Sequence, residues 1–148
     1  MNLTQHFTLE ELTHSEYAAR NGLDNRPNAD VLANLHVLAD GLERVRTVLS
    51  VPILPLSGYR SPKVNAGVRG ALTSQHLQGL ACDFIAPAYG KPLDVAKVLA
   101  QEADFVGFDQ LIMELGQWVH VSFSDQNRRD ILTATKGPVG IVYTRGLM

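Results

Sequence analysis

The chain contains the stretch Ser74-Gln75-His76-Leu77-Gln78-Gly79-Leu80-Ala81-Cys82-Asp83, and Trp118-Val119-His120 follows later in the sequence. Imidazole and carboxylate groups are the usual protein ligands of zinc in sites that leave one position open for water. His76, Asp83 and His120 would supply such a set. Each of the three alone is more often a structural residue, but an acid or imidazole among apolar strand neighbours needs a partner or a metal ion.

The spacing of the first two candidate ligands restricts the local structure. On a continuous helix, His76 and Asp83 would lie about two turns apart, roughly 10 Å, which is too far to share one ion. A turn that ends at Gly79 and leads into a strand over Ala81–Ile85 would fold His76 back toward Asp83, and glycine tolerates the dihedrals required. On that strand Cys82 faces away from Asp83, so we expect a buried thiol and not a ligand.

The rest of the chain predicts helices first and then strands, typical of an α+β domain. A capping box at Thr8-Leu9-Glu10-Glu11 starts a short helix, and helical periodicity continues over residues 30–49 and 92–102. Strands are predicted at residues 53–57, Ala81–Ile85, 110–115, 118–123 and 139–143, with an irregular loop at 65–73. Prolines at positions 52 and 55 place the first of these strands away from the sheet centre. We expect one domain over residues 1–148, with N-terminal helices packed on a small, mostly antiparallel sheet.

Composition excludes several classes of partner. The chain has 13 basic and 15 acidic residues, and no basic block is interleaved with aromatics, so nucleic acid is not an expected partner. The single cysteine excludes an intramolecular disulfide and a Cys-rich zinc site. The first twenty residues carry no basic start followed by an apolar run, which predicts a protein made in the cytoplasm without a signal peptide or membrane span. A monomer is expected.

Three motifs of this chain, taken in order, resemble those of the M15 zinc peptidases, the D-alanyl-D-alanine carboxypeptidase family. They are Ser57-Gly58-Tyr59-Arg60-Ser61-Pro62, Ser74-Gln75-His76 continuing through Gly79, Ala81 and Asp83, and Trp118-Val119-His120-Val121-Ser122. The opening Phe7-Thr8-Leu9-Glu10-Glu11-Leu12 resembles the small, single-domain subgroup common in phages and prophages.

The resemblance implies a fold like that of the D-Ala-D-Ala peptidases and the hedgehog signalling domain. It implies that His76, Asp83 and His120 bind one Zn²⁺ ion, and that the substrate is a peptidoglycan stem peptide. Either a terminal D-Ala is removed or a bond within the stem is cut. The expected absence of a signal peptide suits a phage lysin released by another protein, or a virion component, that acts on the cell wall.

The same resemblance suggests roles for residues around the metal. Arg60 matches a family arginine that lies by the substrate carbonyl and would stabilise the developing oxyanion, although a structural ion pair is the alternative. Ser74 either binds substrate or caps a turn, and Trp118 either lines the substrate groove or belongs to the core. Tyr59 is a further candidate for substrate binding.

The general base is the point at which the chain departs from the family. Many members place an acid three residues before the last histidine ligand, but this chain has Gln117 there, and glutamine cannot accept a proton at neutral pH. Trp118 stands where related zinc peptidases carry the first histidine of a His-x-His motif. Glu114 is the best remaining candidate, with Asp109 and Asp125 as reserves.

Loop length determines whether Glu114 can reach the metal. A two-residue hairpin loop would pair Met113 with His120 and turn Glu114 to the opposite face of the sheet. A three-residue loop would pair Glu114 with Trp118 and place it on the same face as His120. We predict the three-residue loop. If Glu114 were instead only an exposed strand residue, it would have no catalytic role.

Gln117 keeps a second functional class open. A zinc-stabilised module that binds the cell wall or builds a virion, without catalysis, would need the metal ligands but no base. In a third possibility, the three ligands are incidental to a plain α+β domain.

Overall fold

The sheet of this protein is the scaffold that positions its polar cleft. A computed structural model describes residues 1–148 and contains the strands β1 (Leu54–Ser57), β2 (Ala81–Ile85), β3 (Gln110–Glu114), β4 (Trp118–Ser122), β5 (Asp130–Gly137) and β6 (Gly140–Arg145). The six strands form one sheet in the order β1-β2-β4-β3-β5-β6. Every neighbouring pair is antiparallel except β3 and β5, which are parallel.

Six helices and one 3₁₀ helix complete the fold. They are α1 (Leu9–Thr13), α2 (Glu16–Asn21), α3 (Ala29–Leu49), α4 (Pro62–Gly67), the 3₁₀ helix Gln75–Gln78, α5 (Pro92–Gln101) and α6 (Ala103–Val106). The side chain of Asn28 caps α3 by accepting from the backbone N–H of Val31. No helix combines the length and apolar character needed to cross a bilayer.

The two faces of the sheet have different partners, as strand alternation requires. Residues of one face, including Cys82, Phe84, Val119 and Val121, are buried with the apolar side of α3 and with α5 in a 25-residue core. Asp83 and the other alternate residues of the central strands lie on the opposite face. The core thus fixes one side of the sheet, and the polar site forms on the other.

The structure confirms the α+β class and the main predicted elements. The capping box at Thr8 and Glu11 is present, the long helix spans Ala29–Leu49, and β1 lies at the sheet edge, as its prolines predicted. The predicted loop over residues 65–73 is wrong at its start, because α4 runs to Gly67. Ser61 caps α4, and Pro62 occupies its first turn.

No strand was predicted at the position of β5. Its sequence, DILTATKG, lacks a clean apolar alternation, and it joins the sheet through parallel pairing with β3. The final predicted strand, at residues 139–143, is present as Gly140–Arg145. The sheet therefore extends past β3 by a hairpin of which the sequence indicated only the second strand.

Candidate metal centre

The three predicted metal ligands converge at the floor of an open cleft. His76 lies on the 3₁₀ helix, which ends at Gly79 in the left-handed conformation, with φ 74°. The next strand, β2, brings Asp83 opposite His120 of β4. One potential ligand atom from each side chain lies within 4.8 Å of the others. The turn followed by a strand, which the spacing of these residues required, is the arrangement found.

The distances between the donor atoms suit a small tetrahedral ion. Asp83 Oδ1 is 3.3 Å from His76 Nε2 and 2.9 Å from His120 Nδ1. Two ligands that are each about 2.1 Å from a tetrahedral ion lie roughly 3.4 Å apart, so only small adjustments would admit zinc. Two imidazoles and one carboxylate also match the ligand types that zinc prefers in catalytic sites. The residues present therefore fit a zinc ion.

The surroundings hold these side chains in the form that binds metal. His76 Nδ1 lies 2.7 Å from the carbonyl oxygen of Gly58, which accepts the ring proton and leaves Nε2 free to face Asp83. Burial lowers the pKa of His76, which keeps the ring neutral. Burial alone would raise the pKa of Asp83, but His76 and His120 outweigh it and hold that pKa below its usual value. Asp83 is therefore a carboxylate.

Gly58 supports His76 from a crowded position. Its backbone lies against α1, and the N–H of Tyr59 donates to the carbonyl of Leu12 at 2.8 Å. A Cβ on Gly58 would overlap that same Leu12 carbonyl oxygen, a backbone atom that cannot turn aside. Only glycine allows this segment to approach α1 and still present its carbonyl to His76.

We therefore expect Gly58→Ala to lower the free energy of unfolding by about 1–3 kcal/mol, the usual cost of overpacking. Urea denaturation of the metal-free protein measures this change. Gly90→Ala is the matched control, because its Cβ would lie 3.1 Å or more from its nearest neighbour, the side chain of Asp94, and it should change stability by less than about 0.5 kcal/mol. Equal stability of the two variants would contradict the packing argument.

The cleft above the three ligands has a volume of about 800 Å³ and a mostly polar lining. The segment between α4 and the 3₁₀ helix forms one wall of the cleft, and the chain after β4 forms the other wall. Strands β3 and β4 form its floor. The predicted site residues Arg60, Ser74, Glu114 and Trp118 all line it. The cleft is wide enough for several residues of a peptide.

Glu114 faces this cleft because the β3–β4 loop has three residues. Glu114 pairs with Trp118 and Ile112 pairs with His120, which confirms the predicted register. Leu115 and Gly116 both take positive φ, 56° and 68°, to close the loop. Burial raises the pKa of Glu114, and this shift outweighs the opposing effect of His120. A carboxylate with a raised pKa beside a metal site is well suited to proton transfer.

Arg60 is positioned by neutral groups and not by an acid. Its Nε donates to Asn65 Oδ1 at 3.1 Å and its Nη2 lies 3.4 Å from Ser74 Oγ, and the structure contains no ion pair to Arg60. Burial lowers the pKa of Arg60 and Asp83 opposes that shift, but a guanidinium remains charged in either case. Ser74 caps the turn, since its Oγ accepts from the N–H of His76 at 3.2 Å, and it also lines the cleft, where substrate binding stays a prediction.

The remaining predicted site residues differ in whether their side chains are available in the cleft. Trp118 lines the cleft, and its indole Nε1 is buried without a hydrogen-bond partner. Tyr59 is only 6% exposed, belongs to the core and does not line the cleft, so it lies outside the candidate site. Of the reserve bases, Asp109 is occupied by Arg128 and Asp125 is exposed outside the cleft.

Several cleft residues were not predicted from the sequence, among them Arg128 and Tyr143. Arg128 follows β4, and Tyr143 lies on β6. Burial raises the pKa of the Tyr143 phenol, and the charges of Glu114 and Asp83 add to the shift. No local signal marks either residue, because Tyr143 reaches the cleft through the parallel pairing of β5 with β3 and Arg128 through its ion pair with the distant Asp109.

The fold and the site together define a class of protein. Two histidines and one aspartate lie together at the base of the cleft and could hold a metal ion, and a partly buried glutamate lies on the same face of the sheet. A family model described as Peptidase M15 matches residues 5–122, and the chain belongs to that family. It is therefore a peptidase. A comparison with curated proteins found no match.

Proposed function

We propose that this protein is a zinc-dependent peptidase that hydrolyses a peptide bond in the stem peptides of bacterial peptidoglycan, acting on the cell wall. The bond is either the terminal D-Ala-D-Ala bond or one within the stem. The observation that carries the proposal is the convergence of His76, Asp83 and His120 in one cleft with Glu114 on the same face of the sheet.

The side chains in the cleft divide the chemistry between them. His76, Asp83 and His120 would hold zinc, which activates water and polarises a carbonyl in such sites. Glu114 takes the proton from the attacking water and passes it to the leaving amine. Arg60, fixed by Asn65 and Ser74, supplies a positive charge for the oxygen of the scissile carbonyl as negative charge develops there.

Defined muropeptides of several wall chemistries provide the test. The purified protein is analysed for zinc by elemental analysis and then incubated with the muropeptides, and mass spectrometry of the fragments identifies the bond cut. We expect one zinc per chain and the release of one new amino group per cut. Loss of a single alanine indicates a carboxypeptidase, and larger fragments indicate an endopeptidase.

The alternative, a zinc-stabilised wall-binding or virion module without catalysis, predicts a different result. It requires bound zinc but no fragments from any of the wall chemistries. If no zinc is bound and added zinc does not raise the melting temperature, both zinc-based functions are wrong.

A further inference from the structure

The cleft has Glu114 at one end and a partly exposed guanidinium, that of Arg128, at the other. On the cleft face of β3, Gln110, Ile112 and Glu114 follow one another, and Ile112 lies level with the ligand His120. Since a strand rises about 3.4 Å per residue, Gln110 and Glu114 lie roughly 7 Å to either side of that level. The glutamate lies at one end, and Arg128 lies beyond Gln110 at the other end, beside Asp109 and Asp130.

Arg128 is held rigidly in place. Its Nε and Nη2 donate to the two carboxylate oxygens of Asp109 at 3.0 and 2.9 Å, and its backbone N–H donates to Oδ1 at 2.9 Å. Gln75, the neighbour of ligand His76, donates to the same carboxylate at 3.0 Å. Asp109 is buried and its interactions are satisfied, so this network ties the guanidinium of Arg128 to the turn that carries His76.

The guanidinium is nevertheless open to the cleft. The side chain of Arg128 is 54% exposed, and its Nη1 has no hydrogen-bond partner in the structure. Arg69 also lines the cleft, and its side chain makes no ion pair or hydrogen bond. Asp109 pairs with Arg128 through Nε and Nη2 only, and no acid pairs with Nη1 of Arg128 or with Arg69.

We propose that Arg128 is a specificity-determining residue that binds a carboxylate of the peptide substrate, at the end of the cleft opposite Glu114. This inference rests on the proposed peptidase function. A preorganised guanidinium with a free terminal nitrogen recognises carboxylates through charge-assisted hydrogen bonds at little entropic cost. The carboxylate is either the C-terminus of the peptide or the side chain of an acidic residue near the scissile bond.

Arg128 lies outside the part of the chain that the family model matches, which ends at residue 122. The metal ligands, Arg60 and Glu114 all lie inside that part. Specificity would thus be contributed by the segment after β4, while the chemistry is carried by the segment up to and including β4.

Two pairs of synthetic peptides test the inference and separate the two sources of carboxylate. In one pair the peptide ends in a free D-Ala carboxylate or in its amide, and in the other an internal glutamate is replaced by glutamine. The ratio of kcat/KM within each pair is measured for the zinc-loaded wild type, for Arg128→Gln and for Arg129→Gln. Arg129 is the matched control, because it pairs with Asp104 and does not line this cleft.

We expect the wild type and Arg129→Gln to prefer the carboxylate member of one pair by about 10–100-fold, mainly through KM, since a hydrogen bond to a charged group contributes about 1.5–3 kcal/mol. In Arg128→Gln this ratio should fall toward one. An unchanged ratio in Arg128→Gln, or a wild type that prefers neither member, would overturn the proposal and leave Arg128 as a structural partner of Asp109.

Two further measurements cover the cases in which Arg128→Gln does not fold or the wild type cleaves none of the peptides. If Arg128→Gln unfolds because Asp109 loses its partner, the double variant Asp109→Asn/Arg128→Gln leaves no buried charge unpaired, and the same ratio is read from it. If the wild type cleaves none of the peptides, the proposed peptidase function fails. The binding constants of the four peptides, followed by the fluorescence of the single tryptophan, Trp118, then still show whether a carboxylate is preferred.

Discussion

Glu114→Gln is expected to lower the rate of peptide hydrolysis by about 10²–10⁴-fold, the usual contribution of a positioned general base. The amide has nearly the same shape as the carboxylate but cannot take a proton from water. Glu114 is not among the three metal ligands, so the variant should bind as much zinc as the wild type. Kinetics on a defined muropeptide and elemental analysis of the same sample measure the two quantities.

The matched control is Gln117→Ala. Gln117 occupies the position at which many family members carry an acid, but here it is exposed in the β3–β4 loop and does not line the cleft. We expect this variant to keep wild-type activity. Full activity of Glu114→Gln, or a loss of activity in Gln117→Ala, would show that the base has been assigned to the wrong residue.

Asp83→Ala is expected to remove both zinc binding and activity. Loss of a residue that only orients a zinc ligand costs about 10–100-fold in affinity, and loss of a direct ligand costs more. Zinc at roughly 100 times its Kd should stabilise the wild type by about 2.7 kcal/mol. That corresponds to a rise in melting temperature of roughly 5–10 °C. Calorimetry with and without zinc should show the rise in the wild type and none in Asp83→Ala.

Asp104→Ala serves as the control for this experiment. Asp104 is an exposed carboxylate that pairs with Arg129, outside the cleft, so its removal should leave the zinc-dependent rise intact. If Asp83→Ala gains as much stability from zinc as the wild type, the ion binds elsewhere and the proposed centre is wrong.

Local sequence was sufficient for the parts of the site that depend on chain geometry. The interval between His76 and Asp83 excluded a helix and required a turn at Gly79, which is what the fold contains. The three-residue loop likewise determined the face of Glu114, because each residue added to a hairpin loop changes which side chains share a face. Both predictions rest on short-range constraints that the rest of the chain does not alter.

Residues whose positions depend on distant packing could not be predicted. Tyr59 and Arg60 are adjacent in one motif, yet Arg60 faces the cleft while Tyr59 is buried in the core. Trp118 also lines the cleft, although its apolar strand neighbours left core burial equally open. The choice between core and cleft depends on which elements cover each face, and those elements come from other parts of the sequence.

The sequence alone determined the identity of the candidate metal ligands and the turn between His76 and Asp83, since residue type and spacing are local properties. The structure decided between the two loop lengths that the sequence allowed, and so fixed the face of Glu114. Only the tertiary structure decided that Arg128 and Tyr143 reach the same cleft. Tyr143 does so because β5 pairs in parallel with β3, and Arg128 because Asp109 binds it. Both contacts join segments that are distant in the sequence, and local periodicity does not predict them.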